Sequence, residues 1–197
     1  MWYDTTVGAH YSYGSTESTA NAWEIYNYFR SLSNPWAVES IAALCGNFQL
    51  ESIMNPCIRD VNQTGAFGLP QWITHKSTMI AWANARALRP TSGTAQVQYI
   101  EAERRDGVDD QYLPRGLYAN VTFNDFAYNL DNLDVVDLTR CWWVNYERSA
   151  EYQTDRETWA QGFYQLFQGQ PPISTLPKWL LYKLKGDKKR ARITVLI

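Results

Sequence analysis

The sequence is poor in histidine, in paired cysteines and in long apolar runs. Two histidines, His10 and His75, occur in 197 residues, so a histidine-rich metal site is not available and neither a metal nor another cofactor is expected. The three cysteines are an odd number without CxxC spacing. Cys45 and Cys141 fall in apolar, helix-like stretches and read as small buried hydrophobes; nothing requires a bridge from Cys57 to Cys45. No stretch approaches the roughly 18 consecutive apolar residues of a membrane span. The start, Met1-Trp2-Tyr3-Asp4, lacks the basic and apolar regions of a signal peptide, so that route of export is not expected.

Positive charge is also scarce outside one segment. Residues 178–192 hold Lys178, Lys183, Lys185, Lys188, Lys189, Arg190 and Arg192 against Asp187, a local +6, while the whole chain carries −2. The remainder is thus at about −8. A body that acidic does not hold a nucleic-acid backbone or an anionic wall by charge, and no nucleic-acid partner is expected. A substrate has to be held by a shaped, aromatic cleft. The means are present: 45% of residues are hydrophobic and 15% aromatic, with nine Trp and thirteen Tyr.

Along the chain, residues 1–16 read as an extended N-terminal arm. Ala22, Trp23, Ile25, Tyr26 and Phe29 repeat at helical spacing over about 19–30. Ser33-Asn34-Pro35 reads as a helix start with proline in the first turn, opening a helix to about Glu51. Residues 52–71, broken by Asn55-Pro56, Gly65 and Gly68-Leu69-Pro70, read as a loop or small hairpin. Helical spacing returns over 77–88, over 94–105 with Glu101, Glu103, Arg104 and Arg105 outward, near 122–129, and over 134–147. Thr154-x-x-Glu157 reads as a capping box opening the last helix, which Gly169 and Pro171-Pro172 end. The pattern predicts a mainly α domain over 17–170 and a separate tail over 171–197.

Glu51 is the carboxylate that stands out. It ends an apolar helix just before a broken loop, where the helix dipole disfavours negative charge. Enclosure by Phe48, Leu50 and Ile53 would act in the same direction, toward the protonated form that a general acid needs. An ordinary exposed helix-end glutamate is the other reading of that position.

The stretch Ala43-Leu44-Cys45-Gly46-Asn47-Phe48-Gln49-Leu50-Glu51-Ser52, then Asn55-Pro56, then Gly65-Ala66-Phe67-Gly68-Leu69-Pro70-Gln71-Trp72 resembles the phage tail lysozyme family. It is similar, more broadly, to the lysozyme-like superfamily. Asn145-Tyr146-Glu147-Arg148 resembles the Tyr-Glu-Arg-Pro stretch of the same family, with Ser149 in place of proline. Ala66 stands where one of the family's glycines falls. The matches span about 22–168.

The resemblance implies a lysozyme-like α+β domain with a small loop or hairpin region after the catalytic helix. It also implies a glycoside hydrolase of lysozyme (muramidase) type, acting on the β-1,4 bond between N-acetylmuramic acid and N-acetylglucosamine in peptidoglycan glycan strands. Glu51 is then the catalytic acid. Ser52 orients Glu51 or the sugar, or is a local backbone cap. Gly68 lets backbone approach the sugar, and Gln71 offers a donor and an acceptor. Trp72 stacks on a sugar or belongs to the core; Tyr146 lies near the reacting sugar or is a buried phenol. Glu147-Arg148 reads as a structural ion pair or, alternatively, as a catalytic element.

A second carboxylate is harder to find. Asp60 is the one acidic residue between Glu51 and Glu101. It either stabilises the developing charge or is a solvated loop residue beside Arg59. Asp109, Asp110 and Asp125 are further candidates. With none facing Glu51, the substrate's own N-acetyl group would assist and the product would be the anhydro sugar of a lytic transglycosylase.

The tail mixes Trp179, Leu180, Leu181 and Tyr182 with lysines and ends in Ile193-Thr194-Val195-Leu196-Ile197. It reads as a docking peptide for other phage tail proteins, as an anchor on a wall or membrane surface, or as a simple tail. The family points to a virion component that opens the host wall for DNA entry. An endolysin released at lysis and a non-catalytic structural module are the competing readings.

Overall fold

The computed structural model describes residues 2–3, 12–58, 65–148 and 151–169. Among them are seven α-helices: α1 (Thr16–Arg30), α2 (Val38–Ser52), α3 (Lys76–Asn84), α4 (Gly93–Asp106), α5 (Phe123–Tyr128), α6 (Val135–Trp142) and α7 (Asp155–Gly169). A 3-10 turn spans Gly116–Tyr118, and a π-turn at Trp143–Glu147 follows directly on α6. Strand-like pairing among the described residues is confined to the antiparallel bridge between Phe67 and Trp72. The domain is mainly α, as the periodicities predict. The tail at 171–197, and with it the docking role expected of it, lies outside the described residues.

Helix α2 is the axis of the molecule. Every residue from Ser40 to Gln49 is buried, which suits a helix surrounded on all sides rather than an amphipathic surface helix. Its longest contact is with α7, and α6, α1 and α5 cover the remainder. Gly46 makes the α7 crossing close: a methyl there would lie 2.5 Å from the Arg156 carbonyl oxygen and 2.6 Å from the Ala160 Cβ. Asn47 ties three helices together. Its Nδ2 donates to the Ala43 and Thr139 carbonyls, and its Oδ1 accepts from Arg156 at 2.9 Å.

The start of α2 differs from the sequence expectation. The helix opens after Ala37, not at Ser33-Asn34-Pro35. The chain stays extended so that Trp36 enters the core, where its Nε1 donates to Glu101 Oε2 at 2.9 Å and its ring packs 4.1 Å from Phe29. Ala37 N–H donates to the Ala127 carbonyl, closing this segment onto α5. Glu101 and Glu103 are likewise not outward: both are buried on α4. Glu101 is held by Trp36 and by Arg104, whose Nε donates to it at 2.9 Å.

The described parts of the N-terminal arm sit on two further glycines. Trp2 covers Gly93 at the start of α4, and Tyr13 covers Gly162 on α7. Asn21 holds the Tyr3 backbone through hydrogen bonds of 2.7 and 3.1 Å. Among the described residues no helix is long and apolar enough to cross a membrane.

Candidate active site

The C-terminus of α2 is built to stop abruptly. Ile53 and Met54 both adopt left-handed conformations, φ 53° and 58°, which are costly for non-glycine residues and for a β-branched one above all. The Phe48 carbonyl holds the turn, accepting the Met54 N–H at 3.2 Å and the Ser52 hydroxyl at 2.9 Å. Asn21 Nδ2 clamps the Met54 carbonyl at 2.8 Å. Reversing the chain here leaves Glu51 on the last turn of α2 with its side chain at the wall of a cleft of about 770 Å³.

The opposite wall is the hairpin 67–72. Gly68 takes φ 80°, and a methyl there would lie 2.9 Å from Gln96. Gln96 is fully buried; its Oε1 accepts the Leu69 N–H, and its Nε2 donates to the Pro56 and Pro90 carbonyls. The hairpin is thus bolted to α4, and it presents Pro70, Gln71, Trp72 and Ile73 to the cleft. Gln71 Nε2 donates back to the Gly68 carbonyl at 2.9 Å.

Beneath the cleft lies a cluster the sequence did not announce. Arg156 of α7 is 2% exposed, donates through one terminal nitrogen to Asn47, and forms an ion pair with Glu51 through the other. Glu147, at the end of the π-turn, lines the same cleft. Its Oε1 accepts from Trp142 Nε1 at 2.8 Å. Burial and the negative charge of Glu51 push the Glu147 carboxyl well above the usual carboxylate range, against the opposing pull of Arg156 and the Trp142 N–H. The expected Glu147–Arg148 ion pair is not made among the described residues. Arg148 ends the π-turn at φ 55° and faces the cleft. A π-turn widens the helix by one residue, and here it lets Tyr146 point inward while Glu147 reaches the cleft.

A second buried carboxyl sits behind Trp72. Its indole N–H donates to the Tyr146 hydroxyl at 2.9 Å, which donates to Glu103 Oε2 at 2.7 Å. Tyr146 also stacks on Trp142 with ring centroids 4.0 Å apart. Glu103 Oε1 has no hydrogen-bond partner among the described residues, and burial drives this carboxyl well above its ordinary range. With Glu103 and Glu147 both raised, the folded chain keeps protons that the unfolded chain releases above about pH 4.3. Their stabilisation is complete below that pH and is lost as pH climbs through the folded values, at about 1.4 kcal/mol per pH unit for each group. Glu103→Gln, whose carbonyl still accepts from Tyr146, is expected to make that decline shallower. Urea unfolding between pH 5 and 7 checks this; an unchanged slope would mean Glu103 is ionised in the folded chain.

At the rim, His75 Nδ1 meets Asp109 Oδ1 at 2.6 Å, and Asp109 also accepts from the Tyr99 hydroxyl at 2.5 Å and from the Asp110 N–H. Among the described residues, His75, Asp109 and Asp110 are the group whose ligand atoms gather within 4.8 Å of one another. Both Asp109 oxygens are already engaged, and these bonds lower its carboxyl below the ordinary range despite its burial.

The structure therefore brings Glu51 and Gln71 to one cleft, with Trp72 in its lining but 2% exposed and part of the core. Ser52 and Tyr146 are fully buried behind it, the former bonded to Phe48 and the latter between Trp72 and Glu103. Gly68 shapes the hairpin from within. Asp125 is taken up by the α5 cap, accepting from Thr122 N–H and hydroxyl at 2.9 and 2.6 Å. Asp60 lies outside the described residues.

Residues 20–167 match the pattern of the family described as phage tail lysozyme. The chain belongs to the phage tail lysozyme family. It is also similar to Morphogenesis protein 1 of Bacillus phage B103, 29% identical over 158 residues, which is 78% of this chain and 40% of that protein. The chain spans less than half the length of that relative. Within the lysozyme domain, Glu51, Glu147 and Arg156 all lie inside the matched region. Arg156 is not singled out by the sequence, and Glu147 enters there as half of an ion pair with Arg148. Asp155-Arg156-Glu157 looks like the charged first turn of a helix, and Glu147-Arg148 looks like a self-satisfied neighbour pair.

Proposed function

We propose that this chain is a peptidoglycan glycosidase that cleaves the β-1,4 bond between N-acetylmuramic acid and N-acetylglucosamine, with Glu51 as general acid. The observation that supports it is the carboxyl of Glu51 at the abrupt end of α2, facing an open cleft walled by Gln71 and Trp72. Glycoside cleavage needs a proton at the leaving oxygen and a stabilised oxocarbenium-like centre. Glu51 supplies the proton, and the amide of Gln71 offers groups to an N-acetyl sugar. Trp72, 2% exposed and held by Tyr146, backs the cleft from the core and stiffens the hairpin that carries Gln71. Ser52 and Tyr146 act from behind, by fixing the helix end and the tryptophan.

The α+β character of a lysozyme-like domain rests on the family resemblance; among the described residues the arrangement is mainly helical, with one bridge in the hairpin after the α2 carboxylate. The relative's name places it in phage morphogenesis. That supports a virion component, carried in the tail, which opens the host wall locally as DNA enters.

Mass spectrometry of fragments released from purified Gram-positive peptidoglycan tests the reaction. Reducing N-acetylmuramic ends are the expected product. Anhydromuramic ends would mean transglycosylase chemistry in the same cleft, and the absence of fragments from several walls would leave a non-catalytic module. Detection of the chain in purified virions, as opposed to the lysate alone, separates a tail component from an endolysin.

A further inference from the structure

The cluster under the cleft contains two carboxyls and one guanidinium. Arg156 spends its terminal nitrogens on Glu51 and Asn47, so Glu51 has a direct counter-ion. Glu147 has a neutral indole N–H as its hydrogen-bond partner. The groups that face Glu147 are Glu51 from α2, Arg156 from α7 and Trp142 from α6. Arg148 also lines the cleft but makes no ion pair with either carboxyl among the described residues. Of the three charges in the cluster two are negative, which leaves one carboxyl uncompensated, and like charges in a shared, partly dry site do not both ionise at low cost. The proton of the resting cluster therefore belongs on the carboxyl that the guanidinium does not touch.

We infer that Glu147 is the resting site of the catalytic proton, and that it serves the reaction by reprotonating Glu51, which delivers that proton to the glycosidic oxygen. The inference rests on the glycosidase reading above and deepens it. When substrate enters, the proton passes from Glu147 to Glu51 and then to the leaving oxygen. The C1–O bond breaks with its electron pair going to that oxygen. Both carboxylates then face Arg156 until water adds to C1 and its released proton returns to the pair, restoring the resting charge. Glu147 acts through Glu51 and is a positioning residue for the proton. Its carboxyl is a second one on the cleft beside that of Glu51.

The test is Glu147→Gln. Its amide carbonyl still accepts from Trp142, and its neutrality mimics the protonated carboxyl, so the resting charge balance is kept. On soluble glycan strands the variant is expected to lose kcat by about a hundredfold, the usual scale for a proton-transfer group. KM is expected to stay within about threefold. The wild-type alkaline limb, set by loss of the proton from the pair, is expected to shift to lower pH. A variant within about threefold of wild type at every pH, with an unshifted profile, would overturn the inference while leaving the glycosidase reading standing.

A second measurement does not depend on the variant folding or on activity. Carbon NMR of wild-type chain labelled at glutamate carboxyls is expected to show Glu147 neutral at pH 7, and an ionised Glu147 there would overturn the inference. Should wild type release no fragments from any wall, the glycosidase reading fails instead.

Discussion

Glu51→Gln is expected to fold and to lose wall cleavage by about a hundredfold to ten-thousandfold, the range over which general acids contribute. The amide carbonyl of the variant can still accept from Arg156, but no proton is left to give. Loss of the negative charge has a cost, because breaking a buried ion pair typically takes about 3–5 kcal/mol. The neighbouring carboxyl offsets part of it. Removing Glu51's charge removes one of the two causes that hold Glu147 above its ordinary range, so Glu147 ionises more readily and offers the guanidinium a new partner. The thermal midpoint of Glu51→Gln is therefore expected to lie above that of the Glu51→Gln/Glu147→Gln double variant, which strands Arg156 with no anion in the cluster. Activity is expected to behave differently: residues that act as one unit are strongly non-additive, so the double variant is expected to be no slower than Glu51→Gln. A folded Glu51→Gln protein that releases reducing ends within tenfold of wild type would remove Glu51 from the role of acid; that limit lies well inside the expected loss.

How much of this was written in the sequence depends on the distance over which each feature is decided. Helices α1, α3, α4, α5, α6 and α7 follow from local spacing, and α1, α5 and α6 also carry side-chain caps. Ser15 closes α1 by accepting the Ser18 N–H, and Thr122 with Asp125 forms a reciprocal cap on α5. Glu51 was visible because a Gly- and Pro-broken segment follows an apolar run directly. Features decided by partners far along the chain were not visible. The start of α2 is displaced because Trp36 finds Glu101, 65 residues away. Glu103 looked like a surface charge because Tyr146, which binds it, lies 43 residues on. Arg156 reaches Glu51 across 105 residues, and no local pattern distinguishes it from its charged neighbours. Asp60, in the loop after Glu51, lies outside the described residues; the described cleft has Glu147 of the π-turn in its lining with Glu51, from 96 positions along the chain.

The glycine that allows this cluster to form lies one turn before it on α2, and Gly46→Ala is expected to be the most damaging single-methyl change in the domain. The added carbon would meet the Arg156 carbonyl oxygen at 2.5 Å, the Ala160 Cβ at 2.6 Å and the Ala160 nitrogen at 2.8 Å. Two of these are backbone atoms of α7, so no rotamer change relieves the overlap and the helices must separate. Alanine gains back roughly 0.5–1 kcal/mol of helix propensity, against overpacking that costs about 1–3 kcal/mol or more in a dense core. Because the clash is with backbone along the largest helix contact, we expect a net loss at the upper end, about 3 kcal/mol, and a thermal midpoint lower by about 6–12 °C for a domain of this size. Gly169→Ala is the control: the same change, at the end of α7, with nothing within 4 Å of the added methyl. The consequence extends to function, because the carbonyl that is pushed away belongs to Arg156 itself. Shifting α7 moves the guanidinium off Glu51 and Asn47 together, so activity at a temperature where the variant is still folded is expected to fall with stability. A Gly46→Ala protein with wild-type midpoint and wild-type rate would mean that α2 and α7 are farther apart in solution, and that Arg156 does not set the charge of the cleft.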